Sequence, residues 1–271
     1  MFKKSPLPHA PQAQPDAGGA DDVAVACNDV HKSIRGQRVL DGVSFELRAG
    51  ETLAVAGVNG AGKTTLLRCL LDFARADSGS LSIFGRDSHL PQARLRLAYL
   101  PERFLPPAHL SGHETLTWLA GLHGRRWTSA QSEAVVDAFG LPRDAMRKRV
   151  RQLSKGMTQK LGLAALLHAG RDLIVLDEPM SGLDPLARRS IGQMLAEARA
   201  RGCTVLFTSH AMADIDRLAD RMLVLHQGRQ RFLGAPDGLR AATGESDLDA
   251  AFVACLDAGA AVRGRLESPT E

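Results

Sequence analysis

The sequence predicts an α/β fold with a mostly parallel sheet, an antiparallel β-layer ahead of it and an inserted helical subdomain. Three observations carry that expectation. After Gly170, short apolar runs alternate with helical stretches. At Gly57–Thr65 a glycine-rich loop stands between an apolar run and a helix. Two alternating, strand-like segments precede that loop. Buried strands interleaved with helices imply a parallel sheet whose faces the helices cover.

The elements follow in chain order. Val23 to Val30 and Arg38 to Leu47 alternate like strands, with turn residues Arg35-Gly36-Gln37 between them. Thr52-Leu53-Ala54-Val55-Ala56 is a buried strand, and Leu66 to Leu70 continue the helix that opens at Lys63. Ser80 to Phe84 form a further strand ended by Gly85. From about Leu90 to Leu167 a largely helical stretch is expected, with helices at His113–Leu122 and Ala130–Phe139 punctuated by Gly124 and Gly140-Leu141-Pro142. Asp172 to Leu176, Thr204 to Thr208 and Arg221 to Leu225 suit strands; Leu186 to Ala200 and Ala213 to Asp220 suit helices. The expected division is a Pro/Ala-rich disordered tail over 1–22, one domain over 23–235 with its helical part at about 90–167, and a short helical extension with a frayed end over 236–271.

The loop Gly57-Val58-Asn59-Gly60-Ala61-Gly62-Lys63-Thr64-Thr65 has the composition and context of a phosphate cradle. Glycines let the backbone curl so that successive N–H groups face phosphate oxygens. The helix opening at Lys63 adds the positive end of its dipole. Lys63 can reach the outer phosphates, and the Thr64 hydroxyl can ligate Mg²⁺. The run Asp172 to Glu178 is a hydrophobic strand ending in two acids. Such a strand can set Asp177 beside the cation held by Thr64, with Glu178 poised to polarise an attacking water. Leu153-Ser154-Lys155-Gly156-Met157 opens a helix and offers a second anion site.

Bulk properties narrow the classes. The 271 residues carry a formal net charge of +4, too mild to demand a nucleic-acid partner. A basic cluster at Arg143, Arg147, Lys148, Arg149 and Arg151 suits a solvated helix face, anionic lipid or nucleic acid. With only 4% aromatic residues, base stacking is poorly supported and no direct nucleic acid is expected. No run approaches the ~18 apolar residues of a membrane span, and the proline-rich start lacks the apolar stretch of a secretory signal. Cys27, Cys69, Cys203 and Cys255 are scattered, which fits a reducing compartment better than a disulfide framework. His109 and His113 are spaced four apart, but without an HExxH frame they suit surface or core positions better than a metal. Trp118 and Leu122 are expected to pack within a helix pair.

With Ser181-Gly182-Leu183-Asp184 and Thr208-Ser209-His210 added, the chain resembles the nucleotide-binding subunit of an ABC transporter, a P-loop NTPase, from about Val23 to Leu233. The resemblance matches Gly57 to Thr64 to the Walker A loop, Asp177 to the Walker B aspartate and Glu178 to the catalytic glutamate. It matches Leu153 to Met157 to the signature loop, Ser181 to Asp184 to the D-loop and His210 to the switch histidine. It implies ATP and Mg²⁺ as cofactors and a head-to-tail homodimer in which Ser154 and Gly156 meet the γ-phosphate bound by the other copy. A separate transmembrane permease would hold the chain at the cytoplasmic side of the membrane. LSKGM in place of LSGGQ, and Glu102 where a glutamine is usual, resemble the branch that serves ABC-2-type exporters. Ile34 aligns with the aromatic residue that stacks on adenine, which leaves the choice between ATP and GTP open. The alternative is a soluble ABC ATPase without a transport role; the paired domains, coiled coils or cysteine-rich inserts usual there are absent from the sequence. An unrelated kinase or GTPase would leave Leu153 to Met157 unexplained.

Overall fold

A computed structural model describes residues 22–257. The expectations for the proline-rich tail and the frayed end therefore fall almost wholly outside the described residues.

The chain begins with a hairpin of β1 (Val23–Ile34) and β2 (Gln37–Arg48), both longer than the sequence pattern suggested. Arg35 and Gly36 both have positive φ, 53° and 79°, the backbone of a two-residue turn whose twist matches the strands it joins. After β3 (Thr52–Ala56) and α1 (Lys63–Leu70) come β4 (Ser78–Ile83) and β5 (Arg86–Asp87), which complete an antiparallel sheet of order β2-β1-β4-β5. A 3₁₀ turn at Pro91–Arg96 leads to β6 (Leu97–Leu100), followed by α2 (Gly112–Leu122), α3 (Ser129–Phe139) and α4 (Lys155–Ala169). The remainder alternates: β7 (Leu173–Leu176), α5 (Pro185–Ala200), β8 (Thr204–Ser209), α6 (Met212–Leu218), β9 (Arg221–His226) and β10 (Arg229–Gly234). Two helices close the described chain, α7 (Pro236–Thr243) and α8 (Leu248–Asp257). Among the described residues the second sheet has six strands, ordered β10-β9-β3-β8-β7-β6, parallel except for β10.

Side-chain alternation along the central strands divides the interior in two. Leu53 and Val55 of β3, Leu173 and Val175 of β7, and Leu206 of β8 join one core, with α1 and the antiparallel sheet. Ala54, Ala56, Ile174, Leu176, Val205 and Phe207 face the other, which residues of the helices α2 to α8 complete. Residues of period two pointing to opposite faces produce this split. Burial on both faces explains why the strands show continuous apolar runs in place of hydrophobic–polar alternation.

β6 corrects the largely helical reading of the stretch from Leu90. Leu97 and Tyr99 pack on the first core while Ala98 and Leu100 enter the second. A four-residue apolar run is too short for periodicity to separate strand from helix. The basic cluster is likewise not a helix face. It lies on turns and a 3₁₀ segment (Val150–Gln152) tied to the start of α2 and the residues before it by Gly112 N–H to Lys148 O and Val150 N–H to Leu110 O. Arg143, Arg147, Arg149 and Arg151 are exposed, and Lys148 pairs with Asp144 at 2.7 Å. Trp118 and Leu122 are exposed as well, at 44% and 65%, so neither is buried in the core. His109 precedes α2, and His113 meets the Ser132 hydroxyl at 2.8 Å, so the pair shares no helical face. Among the described residues no helix is long and apolar enough to cross a membrane, and no cluster of three or more His, Cys, Asp or Glu side chains could cage a metal.

A phosphate-binding loop with two acids at a strand end

The loop between β3 and α1 owes its shape to close contacts. A Cβ on Gly57 would stand 2.6 Å from the Leu225 carbonyl oxygen and 2.9 Å from Ala61 Cβ, so the backbone fits there only without a side chain. Gly62, the residue before α1, has φ +110°, and a Cβ there would approach Val39 O at 2.8 Å. Residues 58–65 line a pocket together with Val39, Glu102 and Glu178. The first N–H groups of α1 lack partners within the helix, as at any helix start, and α1 begins at this pocket.

Lys63 is 6% exposed and donates to Gly57 O at 2.6 Å. Its ammonium also stands 3.3 Å from Glu178 Oε1, and Glu178 Oε2 lies 2.9 Å from His210 Nδ1. Glu178 has φ +46°, a left-handed conformation unusual outside glycine. Asp177, at the end of β7, is 4% exposed. Burial pushes its carboxyl above the ordinary value, the Thr208 hydroxyl offsets part of that, the Glu178 charge adds to it, and the Thr64 hydroxyl opposes it. Thr208 donates to Asp177 Oδ1 at 2.7 Å.

This set fits a nucleotide triphosphate with magnesium. Mg²⁺ takes hard oxygen ligands, typically one or two carboxylates alongside substrate phosphates. Thr64 and buried Asp177 carry oxygens of that kind, and a carboxylate held against its own desolvation would gain from a nearby cation. Glu102 lines the same pocket and is close enough to Asp177 to raise its pKa further.

Other residues singled out from the sequence fall elsewhere. Ile34 is 44% exposed at the β1–β2 turn and does not line the pocket. Ser154 caps α4 by accepting from Met157 N–H at 3.2 Å, and Asp184 caps α5 by accepting from Ala187 N–H at 2.9 Å. That bond holds Asp184 below the usual carboxylate range. Gly156 lies against Leu183, which would meet its Cβ at 3.3 Å. Ser154, Gly156 and Asp184 therefore belong to a surface formed by the starts of α4 and α5, outside the phosphate pocket. The sequence reading missed Val39 as a pocket wall and gave Thr208 no role. A hydroxyl at the end of a parallel strand beside the acid-bearing strand was the available signal for Thr208.

A glycine cradle with a buried lysine, set beside two strand-end acids on a parallel sheet, defines a phosphate-loop nucleotide-binding protein. Comparison with known proteins makes the class specific. The ABC transporter family model matches residues 40–181. The daunorubicin resistance ATP-binding protein DrrA3 of Streptomyces coeruleorubidus is 35% identical across 89% of this chain and 77% of its own length. The Nod factor export ATP-binding protein I of Paraburkholderia xenovorans is 36% identical across 80% and 73%. A solved ATP-binding subunit of an ABC transporter superposes with a TM-score of 0.76 at 29% identity, covering 86% of this chain and 99% of that one. The chain belongs to the ABC transporter ATP-binding family.

Proposed function

We propose that this chain is the ATP-hydrolysing subunit of an ABC-2-type exporter, working as a head-to-tail dimer that drives a separate transmembrane permease from the cytoplasmic side of the membrane. The observation that carries the hydrolytic part is the convergence of Lys63, Glu178 and His210 in one contact chain beside the phosphate loop. The domain proper would be 23–235, with 236–271 an extension.

In this reading Gly57 to Thr65 hold the phosphates, with Lys63 on the outer ones. Thr64, Asp177 and Glu102 would hold Mg²⁺, which when bound neutralises phosphate charge. Glu178 takes the proton of the attacking water, and His210 orients the carboxylate through its ring nitrogen. Ile34 would pack on the base with its exposed aliphatic face. Ser154 and Gly156 of one copy would close over the triphosphate of the other, with Asp184 alongside them on the same surface. Their placement away from the pocket of their own chain, with Ser154 exposed, supports this role in trans.

Permease docking is supported by the distribution of exposed apolar side chains. Of the ten large hydrophobics exposed among the described residues, Phe73, Leu90, Leu95, Leu105, Trp118 and Leu122 fall within residues 73–122. Exposed apolar side chains concentrated in one stretch of the chain are available for contact with a partner. The export assignment draws on the two relatives named above. The test is co-expression with the permease encoded beside it. The protein should sediment with membranes only when that permease is present, and its ATPase rate should change on reconstitution. A protein that stays in the supernatant with unaltered ATPase refutes the transport role.

A further inference from the structure

Thr208 is fully buried at the end of β8, beside the strand that carries the two acids. Its hydroxyl makes two contacts of opposite sense. It donates to Asp177 Oδ1 at 2.7 Å and accepts from the Glu178 backbone N–H at 2.8 Å. The ladder between β7 and β8 ends at Leu176 and Phe207, one residue earlier on each strand. Asp177 N–H still bonds across the sheet to Leu100 O at 2.9 Å; the next N–H, that of Glu178, turns to the Thr208 side chain. There the backbone enters the left-handed conformation at φ +46°. Two residues further along the chain, just past β8, His210 reaches the Glu178 carboxylate.

We infer that Thr208 is a positioning residue for hydrolysis. Its hydroxyl clamps the Asp177 carboxylate and the Glu178 peptide into one rigid unit, so that Asp177 offers its other oxygen to Mg²⁺ while Glu178 aims at the water. The inference rests on the assignment of Asp177 to the cation and Glu178 to the water. One donor and one acceptor on a single hydroxyl fix both groups at once, which valine, of the same shape, cannot do. Groups that orient a metal-binding carboxylate typically contribute about 10- to 100-fold in metal affinity or activity. A hydroxyl that only satisfied a backbone N–H would affect stability and leave magnesium dependence alone.

The test uses Thr208→Val and Thr208→Ser in the full chain, with melting temperature recorded for each. Binding of a fluorescent ATP analogue is titrated in EDTA and in Mg²⁺, and steady-state hydrolysis is followed against Mg²⁺. For Thr208→Val, binding in EDTA should stay within about twofold, while the affinity gained on adding Mg²⁺ falls about tenfold. The kcat should fall about tenfold or more, KM for Mg·ATP should rise by about the magnesium gain that is lost, and Thr208→Ser should restore both to within about threefold. If the valine variant does not fold, Thr208→Ala is measured in the same way. An undiminished magnesium gain without the hydroxyl overturns the inference, as does a serine variant as impaired as the valine one. The magnesium arm requires no turnover, so it is independent of whether Glu178 is the base; that question is read separately from Glu178→Gln.

Discussion

The Lys63 ammonium stands 3.3 Å from Glu178 Oε1, so the group that should grip phosphate and the group that should activate water are already in contact. Both side chains are largely buried, at 7% and 12% exposure. Glu178 is engaged on its other oxygen by His210. Incoming phosphates offer Lys63 stronger, doubly charged partners, which would release one carboxylate oxygen toward a water molecule. Glu178→Gln should therefore bind ATP at least as well as the parent, since the amide holds Lys63 less firmly. Its turnover should fall by about two orders of magnitude or more with the loss of the base. Equilibrium binding and phosphate release check the two halves, and near-parental release would remove Glu178 from the role.

The loop's shape predicts which glycines resist substitution. Gly62→Ala places a Cβ 2.8 Å from Val39 O and 3.0 Å from Leu40 Cδ2, at a φ of +110° that side chains rarely adopt. Gly50 has a positive φ of +77° but open space around it. Gly50→Ala should cost about 1–2 kcal/mol from backbone strain alone. Gly62→Ala should cost more by about 1–3 kcal/mol of overpacking, and should weaken nucleotide binding besides. Urea unfolding of the two variants measures the difference. Equal losses would show that strain, and not contact with the β2 backbone, restricts the position.

Acid should weaken the fold through two histidines of the helical part, His123 and His168. Burial first, then the charges of Arg171, Arg125 and His168, holds the His123 pKa below its ordinary value. Burial lowers that of His168 too; its bond to the Arg126 carbonyl partly offsets the effect and Arg125 adds to it. A lowered folded-state pKa means that the unfolded chain binds more protons. The stabilising contribution is thus complete above the unfolded value of about 6.5 and is lost as pH falls through the folded one. Unfolding free energy measured from pH 7.5 to 5 should decline, and the double variant His123→Gln, His168→Gln should decline less. Parallel curves for parent and variant would contradict the assignment.

The sequence showed the site in pieces, and the physics of each piece decides how legible it was. Gly57 to Thr65 could be recognised because the cradle is built from contiguous residues. Asp177 and Glu178 were visible because an apolar run ending in acids is itself a local pattern. Thr208 was not, because its role depends on β7 and β8 ending side by side, a relation between residues 31 positions apart. β6 was lost within a helical stretch because four residues, alternating between two cores, leave no polar face to mark a strand. The exposure of Trp118 and Leu122 was hidden because spacing alone cannot separate a buried apolar stripe from an exposed one.

The starts of α4 and α5 supply the last prediction. Ser154 is exposed, its hydroxyl caps its own helix, and neither it nor Gly156 lines the pocket of its own chain. If these groups act on nucleotide held by a second copy, a site is composite and its halves can be damaged separately. Ser154→Arg removes the half given to the partner; Lys63→Ala removes the half kept at home, where the ammonium now bonds Gly57 O and Glu178. In a one-to-one mixture, about half of the dimers formed at random join one of each variant. Each of those carries one site with both faults and one intact site. Nucleotide trapping should therefore be near zero for either variant alone and recover in the mixture to about a quarter of the parental level per chain, if sites act independently. A mixture that traps no more than the single variants would mean that each chain completes its own site, and the head-to-tail dimer would have to be abandoned.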